Sequence, residues 1–172
     1  MKIELMPLVG AKIEGAGEIN FKQTIQEVKS ILGESTKDEG RKLFYDQFEF
    51  RIDFDKKGKL EFIEMIYGPN CERAEVVIYD IDPFKLPAQE LVDLLTVRGG
   101  NEVDDSEAPY SYAFPQISVG IWRDLTEETM LASIEELRKT GEYEQAKDNY
   151  DEDLEKSKFF GTIGIGVKKY YE

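Results

Sequence analysis

Histidine is absent from this chain of 172 residues, and cysteine and tryptophan occur once each, as Cys71 and Trp122. Without histidine there is no Ser-His or Cys-His nucleophile activation, no imidazole metal ligand and no ordinary proton shuttle near neutral pH. One cysteine cannot form an intramolecular disulfide, so a disulfide framework is excluded and a reducing compartment is the natural expectation. Long apolar runs are missing too. Glu4 and Pro7 interrupt the N-terminal segment before it reaches the ~7–15 apolar residues of a secretory signal. Nothing approaches the ~20 apolar residues of a membrane span. A cytoplasmic protein is expected, with no membrane partner and no cofactor.

Negative charge is abundant. Asp and Glu number 36 against 22 Lys and Arg, a formal net of −14. Between Asn101 and Glu155 sixteen acids stand against four bases, a net of −12, which leaves −2 for the rest of the chain. Such a field repels nucleic-acid phosphates and anionic lipid, and it attracts basic proteins or cations. A solvated surface that serves solubility explains it equally. The apolar share of 41%, with 12% aromatic residues, supplies an ordinary core for one domain of this length.

Periodicity places the elements. Thr24, followed three residues later by Glu27, makes a capping box. Ile25, Val28, Ile31 and Leu32 then share one helical face, and Gly33 ends the helix. Phe48, Phe50, Ile52 and Phe54 alternate at period two, turn at Asp55-Lys56-Lys57-Gly58, and return through Leu60 to Ile66 as a hairpin. Ala74 to Tyr79 reads as a further strand.

The pattern then recurs. An offset of 63 places Phe21 on Phe84, Thr24 on Pro87, Glu27 on Glu90, Val28 on Leu91, Ile31 on Leu94 and Leu32 on Leu95. Four more residues of offset bring Phe50, Ile52 and Phe54 onto Ile117, Val119 and Ile121. Internal duplication accounts for this ordered recurrence; two unrelated amphipathic helices would account for part of it. Thr126 to Thr140 is expected to be helical. Glu142 to Lys158 forms a second helix if Tyr143, Ala146, Tyr150 and Leu154 share a face, and Phe159 to Tyr171 holds a last strand.

The predicted fold class is therefore α+β. Two tandem helix-plus-antiparallel-hairpin repeats, at about 17–79 and 81–123, form a sheet with helices on one side, or two sheets joined edge to edge. Residues 124–172 add C-terminal helices and a closing strand to what reads as a single domain, 1–172.

Four stretches invite a chemical reading. Cys71 has no base to activate it. Asp53 to Glu64 matches an EF-hand loop at several positions but puts Lys57 where an oxygen ligand belongs, and its flanks alternate as strands. Gly161, Gly164 and Gly166 lack the order and the following helix of a dinucleotide fingerprint, so close backbone approach is the better reading. The richest stretch carries Glu102, Asp104, Asp105 and Glu107 beside Tyr110, Tyr112, Phe114 and Trp122. It is a solvated acidic loop, a docking surface for a basic protein partner, or a cation site. On the docking reading Glu102, Asp104, Asp105, Glu107, Tyr110, Tyr112 and Trp122 make the contact, since aromatic side chains anchor interfaces and a charged rim speeds encounter.

The string Phe21-x-x-Thr24-x-x-Glu27-Val28-x-x-Ile31-Leu32-Gly33, followed by an aromatic-rich hairpin, resembles the helix-then-sheet repeat of the BamE-like and β-lactamase-inhibitor-protein-like families. The tandem arrangement, over roughly 17–66 and 81–123, is more similar to the latter. Members of those families are exported and often disulfide-bonded, features this chain lacks. In size, acidity and want of catalytic groups it is similar in character to cytoplasmic bacterial immunity proteins. That likeness implies a non-enzymatic, toxin-neutralising binding protein. The alternatives are a carboxylate-based cation-binding or enzymatic domain, or a self-associating structural domain, and the oligomeric state stays open.

Overall fold

A computed structural model describes residues 1–145 and 147–172. Among these, the chain opens with a three-strand meander, β1 (Lys2–Met6), β2 (Gly10–Ile13) and β3 (Gly17–Asn20), and enters α1 (Ile25–Leu32). Strands β4 (Lys37–Asp38), β5 (Lys42–Tyr45), β6 (Phe50–Phe54), β7 (Leu60–Met65) and β8 (Glu75–Ile78) lead to α2 (Ala88–Arg98). After β9 (Ser111–Phe114) and β10 (Val119–Trp122) come α3 (Glu127–Thr140), α4 (Lys147–Lys156) and β11 (Thr162–Gly166). The fold is α+β, with helices packed on sheets.

Local chemistry sets the helix starts and the main hairpin. The Glu27 N–H donates to Thr24 Oγ1 at 3.2 Å, while the Thr24 N–H donates to the Glu27 carboxylate at 2.6 Å, so the capping box closes as expected. Thr126 caps α3 in the same reciprocal way with Thr129. At the β6–β7 turn the Asp55 carboxylate accepts from the N–H groups of Lys57 and Lys59, at 2.7 and 2.9 Å. Gly58 takes the left-handed φ of 72° that the turn needs. The resemblance of this stretch to a calcium loop ends there, because its first turn carboxylate is held by the turn's own backbone.

Strands pair into two sheets. A four-stranded sheet has the order β3-β2-β1-β8, and a seven-stranded sheet the order β4-β5-β6-β7-β11-β10-β9. Residues 1–20, read in the sequence only for a missing signal, supply three strands of the smaller sheet. β8 does not extend the hairpin it follows; it crosses to pair in parallel with β1, Ile3 opposite Val76. β11 is the strand expected between Phe159 and Tyr171. It lies inside the larger sheet, antiparallel to both β7 and β10.

Reading outward from the β7·β11 seam, the order is β7-β6-β5 on one side and β11-β10-β9 on the other. Thr24 and Pro87, paired by the offset of 63, are the N-caps of α1 and α2, and Val28, Leu32, Leu91 and Leu95 are all buried. Ile117 departs from this matching, since it falls in the β9–β10 turn and not on a strand. Phe48 likewise lies in the β5–β6 turn, where Glu49 adopts φ 58°. The Glu142–Lys158 stretch is divided into a 3₁₀ turn at Tyr143–Gln145 and α4, and Ala146 lies outside the described residues.

One contiguous core joins the two sheets and both early helices: Ile3, Leu5, Val28, Phe50, Ile52, Leu91, Val119 and Ile165 belong to it. The registers therefore assign the larger sheet two unlike faces. Phe50, Ile52, Ile63, Ile163, Val119 and Phe114 point into the core. Arg51, Asp53, Phe62, Glu64, Gly164, Gly120 and Trp122 share the opposite face.

Candidate functional site

The outer face of the larger sheet holds the main concavity. Glycine builds its floor: Gly120 on β10 faces Gly164 on β11 across the ladder. Beyond β11 the chain folds back over this floor. Tyr170 stacks on Phe62 with ring centroids 4.6 Å apart, and Tyr171 stands against Gly120 and Gly164. A Cβ at Gly120 would lie 2.3 Å from the Tyr171 hydroxyl, and one at Gly164 would lie 2.4 Å from Phe62 Cζ. The glycines are thus where rings approach the backbone, which is the structural reading of that stretch.

Beside these rings β6 and β7 contribute a cluster of charge. Arg51 Nη2 is 3.0 Å from a Glu64 oxygen, and Arg51 Nε is 3.1 Å from Asp53 Oδ1. The second approach lacks hydrogen-bond alignment, so Nε and Oδ1 are buried without a bonded partner. The guanidinium also lies 5.6 Å from the centre of the Phe62 ring. Burial pushes the carboxyls of Asp53 and Glu64 above the usual range, against the pull of Arg51.

The cleft next to this cluster has a volume of about 480 Å³. Its charged lining is one guanidinium, Arg51, against three carboxylates, Glu64, Asp104 and Glu107. Asp104 is brought to the rim because its backbone pairs with Ala113 on β9, N–H to carbonyl at 2.8 and 3.0 Å in the two directions. Hydrogen bonds from the Ser106 hydroxyl and N–H hold its carboxyl below the ordinary value, so it is charged at neutral pH.

Of the seven residues singled out in the sequence, Asp104, Glu107, Tyr112 and Trp122 meet at this cleft. Trp122 is 47% exposed and also borders a second cleft of about 390 Å³, shared with Tyr67, Leu125 and Phe159. The ring of Tyr112 lies on the core side, edge-on to Phe160 at 5.9 Å. Glu102, Asp105 and Tyr110 are exposed outside the lining; Glu102 accepts a hydrogen bond from Gln116 at 2.6 Å. Sequence reasoning missed Arg51, Glu64 and Tyr170. For Arg51 and Glu64 the signal was alternation along β6 and β7, which marks a second face without saying what covers it; Tyr170 lies beyond β11 and carried none.

The loop acids differ from four carboxylates of the last two helices. On α3 and α4, Glu135, Glu136, Asp151 and Glu152 pair with Lys139, Lys147 and Lys156 one turn away. Among the described residues, Glu102, Asp104, Asp105 and Glu107 form no ion pair. Of the basic residues that flank the loop in sequence, Arg98 lies over the Tyr79 ring, and Arg123 directs its guanidinium at the carbonyls of Pro109 and Ser157 and over the Phe160 ring. Arg123 is committed to the protein's own backbone.

Cys71 is half-buried, and its thiol is pushed up to about 12 by burial and by the carboxylates of Glu49 and Asp82. Among the described residues no group of three or more His, Cys, Asp or Glu is placed to hold a metal ion, and no helix is long and apolar enough to cross a membrane.

Comparison with protein-family models, with curated proteins and with solved structures finds no match.

Proposed function

We propose that this chain is an acidic binding protein that engages a basic protein partner through the surface between Glu102 and Trp122, in the manner of immunity proteins that neutralise toxins. One observation carries the reading: the four loop carboxylates form no ion pair among the described residues, and two of them, Asp104 and Glu107, line a cleft beside the exposed Trp122. Unmatched charge beside an exposed indole suits an interface, where aromatic anchors provide contact and the charged rim provides steering.

The test is capture from the native host, followed by titration of whatever stoichiometric basic protein is recovered. Its affinity is expected to fall at least tenfold when Glu102, Asp104, Asp105 and Glu107 are changed together to their amides. Binding that ignores the four changes, or recovery of no basic partner, overturns the proposal.

A second reading has a specific observation behind it. Glu64 borders a cleft and carries a raised pKa, as a general acid in carboxylate chemistry would. On that reading Glu64→Gln abolishes turnover of a substrate that the loop variant still processes.

A further inference from the structure

We infer that the 480 Å³ cleft is a receptor for a single arginine side chain of the basic partner, which rests on the binding reading above and names what that surface recognises. The occupant must suit three features. The rim carries Asp104 and Glu107 without cationic partners among the described residues, so the ligand is positively charged. The one cation in the lining, Arg51, is already engaged by Asp53 and Glu64, so the cleft presents excess negative charge to an incoming group. The walls include Trp122 and Tyr170, both more than a third exposed, and an indole face attracts a planar cation more strongly than other rings do.

Arginine meets these demands better than lysine. Its guanidinium is planar, stacks on aromatic faces and presents a fork of donors to carboxylates, whereas the ammonium is a compact, strongly hydrated point charge. Arg51 over Phe62 and Arg123 over Phe160, at 5.6 and 5.0 Å, show the same chain using this contact internally. Trp122 borders both clefts, so the residues flanking the inserted arginine run across the indole towards Tyr67 and Leu125.

Trp122 is the single tryptophan, so its emission reports the surface where the two clefts meet, and the Asp104 and Glu107 variants assign a response to this one. The probes are three blocked tripeptides, acetyl-Gly-X-Gly-amide, with X arginine, lysine or citrulline, titrated into the full chain at low and at high salt. The arginine peptide is expected to change Trp122 emission saturably, the lysine peptide to bind roughly three- to tenfold more weakly, and the citrulline peptide to do nothing. The Asp104→Asn, Glu107→Gln double variant should raise the arginine half-saturation about tenfold with an unchanged circular-dichroism spectrum, because the amide introduced by Asp104→Asn keeps an oxygen for the Ser106 N–H. Calorimetry of Trp122→Leu with the arginine peptide gives a readout that does not depend on the fluorophore, and the heat of binding should be lost. Equal responses to arginine and lysine, or none to arginine, overturn the inference. If the arginine peptide fails while a recovered partner still depends on the four loop acids, the cleft assignment falls and acidic docking stands. If the partner ignores those acids as well, both fall.

Discussion

Tyr170 lies flat on Phe62, with ring planes 5° from parallel, and pins the last described segment across the glycine floor of the larger sheet. Tyr171 completes the contact by filling the space that Gly120 and Gly164 leave. Gly120→Ala inserts a methyl where the Tyr171 ring now lies, and overpacking of this kind costs about 1–3 kcal/mol. Chemical denaturation should show that loss in the single variant. It should largely disappear when Tyr171 is also changed to Ala, because the two substitutions act on one contact.

Glu49 anchors the loop before β8. Its carboxylate accepts the N–H groups of Glu72, Arg73 and Ala74, at 2.9, 3.0 and 2.8 Å. Burial opposes ionisation, but the three backbone donors together outweigh it and hold the carboxyl below its ordinary value. A depressed carboxyl confers stability above its unfolded pKa and loses it as pH falls through the folded one. Glu49→Gln should cost about 2 kcal/mol at pH 7, the scale of charged hydrogen bonds. The gap should narrow in acid because the wild type weakens.

Arg51→Leu should produce the complementary pH profile. It leaves the buried Asp53 and the half-buried Glu64 without their cation, a change that costs about 3 kcal/mol at neutral pH. Both carboxyls already have raised pKa values, and such groups penalise the fold above the folded pKa. The penalty is relieved as pH falls through that value towards the unfolded one. Here too the gap narrows in acid, but because the variant recovers. Denaturation curves at pH 5 and pH 8 separate the two cases.

Cys71 should be a slow thiol. With its pKa pushed up to about 12, little thiolate exists at pH 8, and alkylation proceeds through thiolate. Mass spectrometry after brief iodoacetamide treatment should find the folded chain unmodified and the urea-unfolded chain fully labelled. Rapid labelling of the folded protein would contradict the burial described for this residue.

What the sequence made legible was local. Thr24 is a cap because the side chain of Glu27, three residues on, completes the box, and the Asp55 turn closes within five residues. The strand faces of Phe50, Ile52 and Phe54 followed from period two. Pairing across long separations did not follow. Nothing within Glu75–Ile78 marks it for β1 and not for its neighbour in sequence, since the choice depends on Ile3 and Leu5, some seventy residues earlier. The candidate site was half legible for the same reason. Asp104 and Trp122 stood out by composition, while Arg51, Glu64 and Tyr170 reach the cleft only through the β7·β11 seam and the returning C-terminal segment.

That seam also bears on how the protein is made. β7 ends at Met65, and the strand that covers its free edge is not complete until Gly166. A ribosome adding ~5–20 residues per second takes about 5–20 s to supply the intervening hundred or so. Throughout that interval the nascent first half presents an unpaired strand edge, the kind of edge that templates association between chains. β11 is therefore the strand that withdraws this edge, and a nascent chain stalled before Thr162 should be the aggregation-prone species.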